Sequence, residues 1–205
     1  MKVALLIDGG FLRACARAAL IEYNNNFIKR FSDGCVQPSE YLLRVYYYDA
    51  PLFKGKVQLP VSGGHFTFQS SDKWLDDLAQ LERFAVRRGT LGFRGWKPKM
   101  IPLAGGQTLT DGDFSPLFEQ KGVDMRIGLD IANFARTRAV ERIILVSGDQ
   151  DMIPAMKEAR KAGLEVAAVQ MPQPAKILHR GLHSHSDFVR EVGWPEEAVE
   201  TPPTG

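Results

Sequence analysis

Two short runs of apolar residues, each leading to an aspartate, constrain the fold of this chain most strongly. Lys2 to Ile7 reads KVALLI and is followed by Asp8, whereas Arg142 to Val146 reads RIILV and leads within three residues to Asp149. Continuous apolar runs of this length are typical of parallel strands buried on both faces. Helical periodicity follows each run, which indicates strand-helix-strand units. We therefore expect an α/β three-layer sandwich with a central, mainly parallel sheet.

The spacing of apolar residues predicts most of the remaining elements. A helix should follow Gly9 and Gly10, and a second strand, Leu42 to Tyr48, should end at Asp49. A further helix is predicted from Ser71 or Asp72 to near Gly89, with Leu75, Leu78, Leu81 and Phe84 on one face. The other predictions are an exposed insertion over 54–71, edge strands within Leu91 to Leu103, a mobile loop from Gly105 to Glu119, helices Val123 to Arg138 and Met152 to Ala162, a strand Leu164 to Gln170, a short helix after Pro174 and a strand Phe188 to Val192.

Length and composition indicate one domain. The chain has 205 residues, of which 44% are hydrophobic, enough for a single core. We expect this domain to span residues 1–192 and a disordered tail, rich in Glu and Pro, to span 193–205. No apolar run approaches the roughly 18 residues of a membrane span, so we expect a cytoplasmic protein without a membrane partner. Cys15 and Cys35 lack metal-ligand spacing and are interpreted as buried reduced thiols.

One segment has the composition of a nucleic-acid-binding surface, although the net charge is only +2. From Glu82 to Lys99 a single acid accompanies six cations, with Phe84, Phe93 and Trp96 between them. Guanidinium groups pair with phosphates and aromatic faces stack on bases. The candidates for RNA binding in this segment are Arg87, Arg88, Arg94 and Lys97. The alternative is a solvated helix followed by a strand with buried aromatic residues.

Four aspartates are expected at the carboxyl edge of the sheet, where open parallel sheets bind ligands. Asp8 and Asp149 end buried runs, Asp151 follows two residues later, and Asp124 opens the long second-half helix. Four acids about 4 Å from their neighbours would repel by roughly 4 kcal/mol per pair at an effective dielectric of about 20. Mg²⁺ or Mn²⁺ would relieve this repulsion and can support phosphodiester hydrolysis. The sequence therefore predicts a metal-dependent catalytic site.

Each of these acids also has a local interpretation. Asp149, Asp151 and Asp124 could cap helices, and Asp8 could bind the amides of the following turn. No helix, however, needs four acids gathered at one edge, so these alternatives weaken jointly.

A second tier of residues has weaker signals. Asp130 lies six residues after Asp124, on another helical face; Ser147 could bind a phosphate or form the turn; Asp49 is interpreted as a turn residue. Lys121 and Arg126 flank Asp124 and are candidates for binding phosphate, with a solvated surface as the alternative. The three histidines His179, His183 and His185 lack the spacing expected of a zinc site.

Several blocks of the chain resemble the NYN domains of the LabA-like group, within the PIN-like nuclease superfamily. The blocks are Leu6 to Phe11 (LIDGGF), Tyr47 to Pro51 (YYDAP), Lys121 to Asp124 (KGVD) with Leu129-Asp130, Val146 to Pro154 (VSGDQDMIP), and the weaker Leu182 with Asp187-Phe188. The resemblance covers about residues 1–192. It implies a parallel central sheet and an acidic pocket that binds Mg²⁺ or Mn²⁺ and acts on RNA, with Asp8, Asp124, Asp149 and Asp151 as metal ligands. The chain departs from many relatives by having Gly10, Phe11 and Leu12 where an Asn follows the first Asp.

The leading hypothesis is thus an endoribonuclease acting on single-stranded RNA, with a homodimer as one possible assembly. The alternative is a catalytically weak or inactive RNA-binding regulatory module on the same fold. A haloacid-dehalogenase-type phosphatase is disfavoured because it needs an acid where Gly10 stands. A dinucleotide-binding fold is disfavoured because Gly9-Gly10 does not continue into G-x-G-x-x-G. A phospho-receiver domain is disfavoured because the paired acid at the first strand is missing.

Overall fold

The centre of the molecule is a sheet of six parallel strands. The computed structural model describes residues 1–100 and 108–196. In these ranges the strands are β1 (Lys2–Asp8), β2 (Tyr41–Asp49), β3 (Gly55–Gln58), β4 (His65–Phe68), β5 (Phe84–Arg88), β6 (Thr90–Pro98), β7 (Phe114–Lys121), β8 (Arg142–Val146), β9 (Glu165–Gln170) and β10 (Phe188–Glu191). The helices are α1 (Gly9–Ala18), α2 (Asn25–Gly34), α3 (Lys73–Ala79), α4 (Val123–Thr137), α5 (Ile153–Lys161) and α6 (Arg180–His185). None of these helices is long and apolar enough to cross a membrane.

The strand order creates a crevice beside β1. The sheet runs β10-β9-β8-β1-β2-β5, and every neighbouring pair is parallel. The chain builds outward from β1 through β2 to β5, then returns to the other side of β1 with β8 and continues to β10. The connections after β1 and β8 therefore leave the sheet in different directions, which opens a crevice at their carboxyl ends.

Two helical layers cover the sheet, because alternate side chains of a strand point to opposite faces. Val3, Leu5 and Ile7 of β1 pack in one core with residues of α1, α2 and α3. Ala4 and Leu6 pack in the other core with residues of α4, α5 and α6. All five residues are fully buried, and burying a side chain of the size of leucine contributes about 1.5–3 kcal/mol. The predicted α/β three-layer sandwich is confirmed.

Two antiparallel hairpins lie outside the central sheet. β3 pairs with β4, and β6 pairs with β7. The hairpins share an aromatic cluster in which Phe68 of β4 lies 6.3 Å from Phe93 of β6 and 5.3 Å from Phe118 of β7, between ring centroids. The two hairpins therefore stabilise each other by aromatic packing rather than by a continuous sheet.

The structure corrects two sequence predictions between residues 71 and 121. The helix predicted to reach Gly89 ends at Ala79, and Phe84 begins β5 of the central sheet. The loop predicted from Gly105 to Glu119 is wrong from Phe114 onward, because β7 begins there. An edge strand within Leu91 to Leu103 is confirmed as part of β6; the predictions for 101–107 lie outside the described residues. The insertion predicted at 54–71 contains the β3–β4 hairpin.

The elements predicted in the second half of the chain are confirmed within two residues.

Cys15 and Cys35 are buried and form no disulfide. Trp194, in the segment expected to be a disordered tail, packs against Phe27 at 6.1 Å and Phe31 at 6.2 Å between ring centroids. Residues 197–205 lie outside the described residues.

A buried carboxylate links β2 to β8 and β10. Glu40 precedes β2, and its side chain is 1% exposed. It accepts hydrogen bonds from both terminal nitrogens of Arg190 of β10, at 2.8 and 2.7 Å, and it pairs with Arg142 of β8. Burial raises the pKa of Glu40, but the hydrogen bonds from Arg190, Gln37 and Arg142 outweigh it and bring the pKa to about 2.

Candidate functional site

Asp8 stands where β1 becomes α1. Its carboxylate accepts a hydrogen bond from the amide of Phe11 at 3.1 Å and so caps the helix. Gly9 is required here, because a β-carbon at this position would overlap the Tyr47 hydroxyl and lie 2.8 Å from Asp49 Oδ2. Capping explains part of the role of Asp8, as the local interpretation proposed. Asp8 also lines the crevice at this edge of the sheet.

Asp149 occupies the equivalent position after β8. Its Oδ1 accepts a hydrogen bond from the amide of Asp151 at 2.9 Å, while its own amide donates to Ser147 Oγ at 3.1 Å. The turn brings Gly148 against the ring of Phe11, so closely that a β-carbon would lie 2.5 Å from Cε2. The two strand-end turns, from remote parts of the chain, therefore pack directly on each other.

Asp124 reaches the same edge from α4. The prediction that Asp124 might cap this helix is wrong: the N-cap is Gly122, with φ of 77°, and Asp124 lies in the first turn. Gly122 is needed because this left-handed backbone disfavours residues with a β-carbon. A carboxylate in the first turn is favoured by the helix dipole. Asp124 is exposed and faces the crevice described below.

Asp8, Asp124 and Asp149 line one open cleft of about 560 Å³, here called the acidic cleft. Its remaining lining residues are Gly10, Phe11, Gln120, Gly148 and Gln150. Asp151 does not line the cleft, although its charge acts on Asp124. The structure therefore brings three of the four predicted acids into one cavity and places the fourth next to them.

Electrostatic repulsion links these acids. Burial is the main cause that raises the pKa of Asp8, and the charges of Asp124 and Asp49 raise it further; with the opposing amide hydrogen bonds the result is about 6. Partial burial likewise raises the pKa of Asp124, as do the charges of Asp149 and Asp151. The charges of neighbouring acids thus disfavour ionisation of Asp8 and of Asp124, which is the situation that a bound cation relieves.

The donor set of the acidic cleft fits a hard divalent cation. Carboxylate oxygens are the ligands that Mg²⁺ prefers, and it usually binds through one or two carboxylates together with waters and substrate phosphates. Among the described residues, no three Asp, Glu, His or Cys side chains converge closely enough to hold a metal by themselves. The protein would thus supply part of the coordination sphere and leave the rest to water and substrate.

Two second-tier acids have structural partners instead. Asp49 is 1% exposed, forms a salt bridge with Arg13, and accepts hydrogen bonds from the Tyr47 hydroxyl at 3.1 Å and the Ala50 amide at 2.8 Å. Asp130 accepts hydrogen bonds from the Tyr48 hydroxyl at 2.8 Å and from Arg87 Nε at 3.1 Å.

Ser147 is also structural. It is 2% exposed and forms the turn before Asp149. None of these three second-tier residues lines the acidic cleft.

Most of the arginines proposed to bind RNA are engaged in ion pairs. Arg87 pairs with Asp130, Arg88 with Asp76 and Arg94 with Glu119. Lys121 lies 3.7 Å from Glu119. Lys97 is on β6, and Arg126 is exposed on α4, two residues from Asp124. None of these six residues lines the acidic cleft.

Sequence reasoning missed three residues of the cleft. Gln120 is the penultimate residue of β7, a strand that the sequence did not predict, so nothing placed its amide near Gly10, where it lies 3.7 Å from the position of a β-carbon. Phe11 and Gln150 were read only as helix and turn residues. The strand-end aspartates could have suggested both residues, because Phe11 follows Asp8 by three residues and Gln150 follows Asp149 directly.

The parallel sheet between two helical layers, with acids at its carboxyl edge, defines an α/β domain with a PIN-like fold. The model of the NYN domain family matches residues 85–185, and this match supports an NYN domain in the chain. The matched segment contains Asp124, Asp149 and Asp151, whereas Asp8 precedes it. Comparisons with curated proteins and with solved structures gave no match.

Proposed function

We propose that this protein is a metal-dependent ribonuclease of the LabA-like NYN group, which hydrolyses phosphodiester bonds of single-stranded RNA. One observation carries the proposal: Asp8, Asp124 and Asp149, from three remote segments, line a single cleft at the carboxyl edge of the sheet. An NYN domain match over residues 85–185 supports a nuclease over the other phosphate-binding folds considered.

Asp8, Asp124 and Asp149 would hold Mg²⁺ or Mn²⁺, with Asp151 adding negative charge beside them. The ion would activate water and stabilise charge on an in-line phosphoryl transition state. The chain's own contribution is to hold the carboxylates in place. Asp8 is fixed by the Phe11 amide and Asp149 by the Asp151 amide, so both acids are positioned before any ligand arrives.

The uncharged residues that line the cleft would orient the substrate. The side-chain amides of Gln120 and Gln150 line it beside the acids and can donate hydrogen bonds to phosphate or sugar oxygens. Lys121 and Arg126, which flank Asp124 in sequence, would attract the RNA backbone at longer range. The acidic cleft itself repels phosphate, so productive binding depends on the cation.

The proposal is tested with end-labelled single-stranded RNA in Mg²⁺ or Mn²⁺. We expect wild-type protein to cleave it, EDTA to stop cleavage, and Asp149→Asn to lose at least a hundredfold in rate. Asn keeps an oxygen that accepts the hydrogen bond from the Asp151 amide, so the substitution removes charge while preserving the turn. Asp33→Asn, at an exposed acid on α2 paired only with Lys29, is the matched control and should cleave normally.

The competing function is an RNA-binding regulatory module without catalysis. It would be favoured by protein that binds RNA but leaves every substrate intact in either metal, with Asp149→Asn indistinguishable from wild type. Cleavage that persists in EDTA would instead contradict the metal-dependent mechanism.

A further inference from the structure

A second cavity adjoins the acidic cleft. It has a volume of about 510 Å³ and is here called the apolar side cavity. The two spaces share three lining residues, Phe11, Gly148 and Gln150. The two spaces therefore lie side by side, within the reach of one ligand the size of a nucleotide.

The wall nearest the acids is the ring of Phe11. Gly148 allows this ring to lie against the backbone of the β8 turn, since a β-carbon there would overlap it. Phe11 follows Asp8 by three residues, and its amide holds the Asp8 carboxylate. An aromatic ring is thus held in fixed relation to the acid at the cleft.

The remaining walls are small and apolar, and they are preformed. One wall is the exposed face of α1 with Ala14 and Ala18, and the floor includes Val169 at the end of β9. The opposite wall is the segment after β9, which Gln170 fixes by accepting a hydrogen bond from the Leu178 amide at 2.7 Å and donating one to the Met171 carbonyl at 2.8 Å.

Polar groups lie at the edges of the apolar side cavity. Lys176, His179 and Gln150 contribute to its lining. His179 accepts the hydrogen bond from the Gly181 amide through Nδ1, at 3.0 Å, so in the neutral form its proton is on Nε2 and can be donated to a ligand. Apolar faces with polar edges match the chemistry of a nucleobase, which has π faces and hydrogen-bonding edges.

We propose that the apolar side cavity is a nucleobase subsite, which binds the base of a nucleotide whose phosphate lies in the acidic cleft. This inference rests on the proposed function, because the acids and their cation must place the phosphate. The cavity then selects unpaired RNA, since a base that enters it has left its stack. The position of the cavity beside the acidic cleft favours a nucleotide over a lipid chain or an apolar peptide, neither of which has a group for the acid-bound cation.

The test compares ligands that differ only in the base. Binding of the four nucleoside 5′-monophosphates and of ribose 5-phosphate is measured by calorimetry in Mg²⁺. Since base stacking contributes roughly 1–3 kcal/mol, we expect at least one nucleotide to bind wild-type protein about tenfold more tightly than ribose 5-phosphate. Ala14→Leu, which fills the cavity from an exposed helix position, should reduce this ratio to about one. Ala18→Leu on the same wall should do likewise.

Ala132→Leu is the matched control, because Ala132 is an exposed alanine within α4, away from the cavity. It should keep the wild-type ratio. Three results would overturn the subsite: equal binding of all five ligands, no binding of any, or a ratio that survives both filling substitutions. The outcome can be distinguished from that of the cleavage test. A preference for a nucleotide without RNA cleavage would contradict the nuclease proposal and support the subsite. RNA cleavage without such a preference would support the nuclease and contradict the subsite.

Discussion

Arg190 in the last strand donates two hydrogen bonds to Glu40, 150 residues earlier, at 2.8 and 2.7 Å. Both side chains are almost entirely buried, at 6% and 1% exposure. Removing Glu40 would leave buried cations without their counter-charge, a change that typically costs about 3–5 kcal/mol. We therefore expect Glu40→Ala to lower the free energy of unfolding by this amount in urea denaturation. Glu191→Ala, at the exposed end of β10, should change it by less than about 0.5 kcal/mol; equal effects would contradict the role assigned to Glu40.

The same contact predicts an acid-sensitive fold. The pKa of Glu40 is about 2 in the folded protein, against an ordinary value of 4.5. A lowered folded pKa stabilises the protein above the unfolded pKa, and this contribution disappears as the pH falls from 4.5 towards 2. Urea midpoints measured between pH 6 and pH 3 should therefore fall less steeply for Glu40→Gln than for wild type. Parallel curves would show that Glu40 is not responsible.

In metal-free protein, ionisation of Asp8 should destabilise the fold, whereas ionisation of Glu40 stabilises it. Its pKa is raised, chiefly by burial, to about 6, above the ordinary value of 3.8. The folded state then binds a proton more tightly than the unfolded state, so stability declines as the pH rises from about 4 to 6. In EDTA at pH 7.5 we expect Asp8→Asn to raise the Tm, because Asn still caps α1 but carries no charge. A lower Tm for the variant would contradict this account.

Adding a divalent cation should stabilise wild-type protein more than Asp8→Asn. A cation that binds only folded protein stabilises it by an amount that grows with the logarithm of its concentration relative to its Kd. Mg²⁺ or Mn²⁺ should therefore raise the Tm of wild-type protein in scanning calorimetry and raise that of Asp8→Asn less. Ca²⁺ tests whether the effect is general to hard cations. If wild type and variant shift equally, Asp8 is not a ligand.

Packing between the two strand-end turns is tested at Gly148. A β-carbon there would lie 2.5 Å from Phe11 Cε2, and overpacking of this kind costs about 1–3 kcal/mol. Gly148→Ala should destabilise the protein accordingly, whereas Gly193→Ala, where nothing lies within 4 Å, should not. Combining Gly148→Ala with Phe11→Ala should relieve the clash, so the two costs should not add. Simple additivity would show that Phe11 does not press on Gly148.

The fold and the position of the main acids could be predicted because they depend on local patterns. The buried strands β1 and β8 are largely apolar runs; Asp8 ends β1, and Asp149 lies three residues after β8. Once the strands are parallel, their carboxyl ends must share an edge. The NYN domain match independently covers the later acids.

The errors arose where pairing between remote residues overrides local spacing. Leu75, Leu78, Leu81 and Phe84 are spaced as in a helix, yet Phe84 pairs with Val45 in the sheet. Phe114 to Lys121 contains Pro116 and looked like a loop, but β6 provides a partner. Nor could the sequence show that Arg13 neutralises Asp49, 36 residues away, or that Tyr48 and Arg87 engage Asp130.

Pairing between β1 and β8 has a consequence for synthesis of the protein. Val3 pairs with Arg142, so one edge of β1 has no partner until a strand about 140 residues later in the chain has been translated. Parallel pairing over such distances is slow to form. The acidic cleft therefore cannot assemble until Asp149, the last of its three acids in the sequence, has left the ribosome.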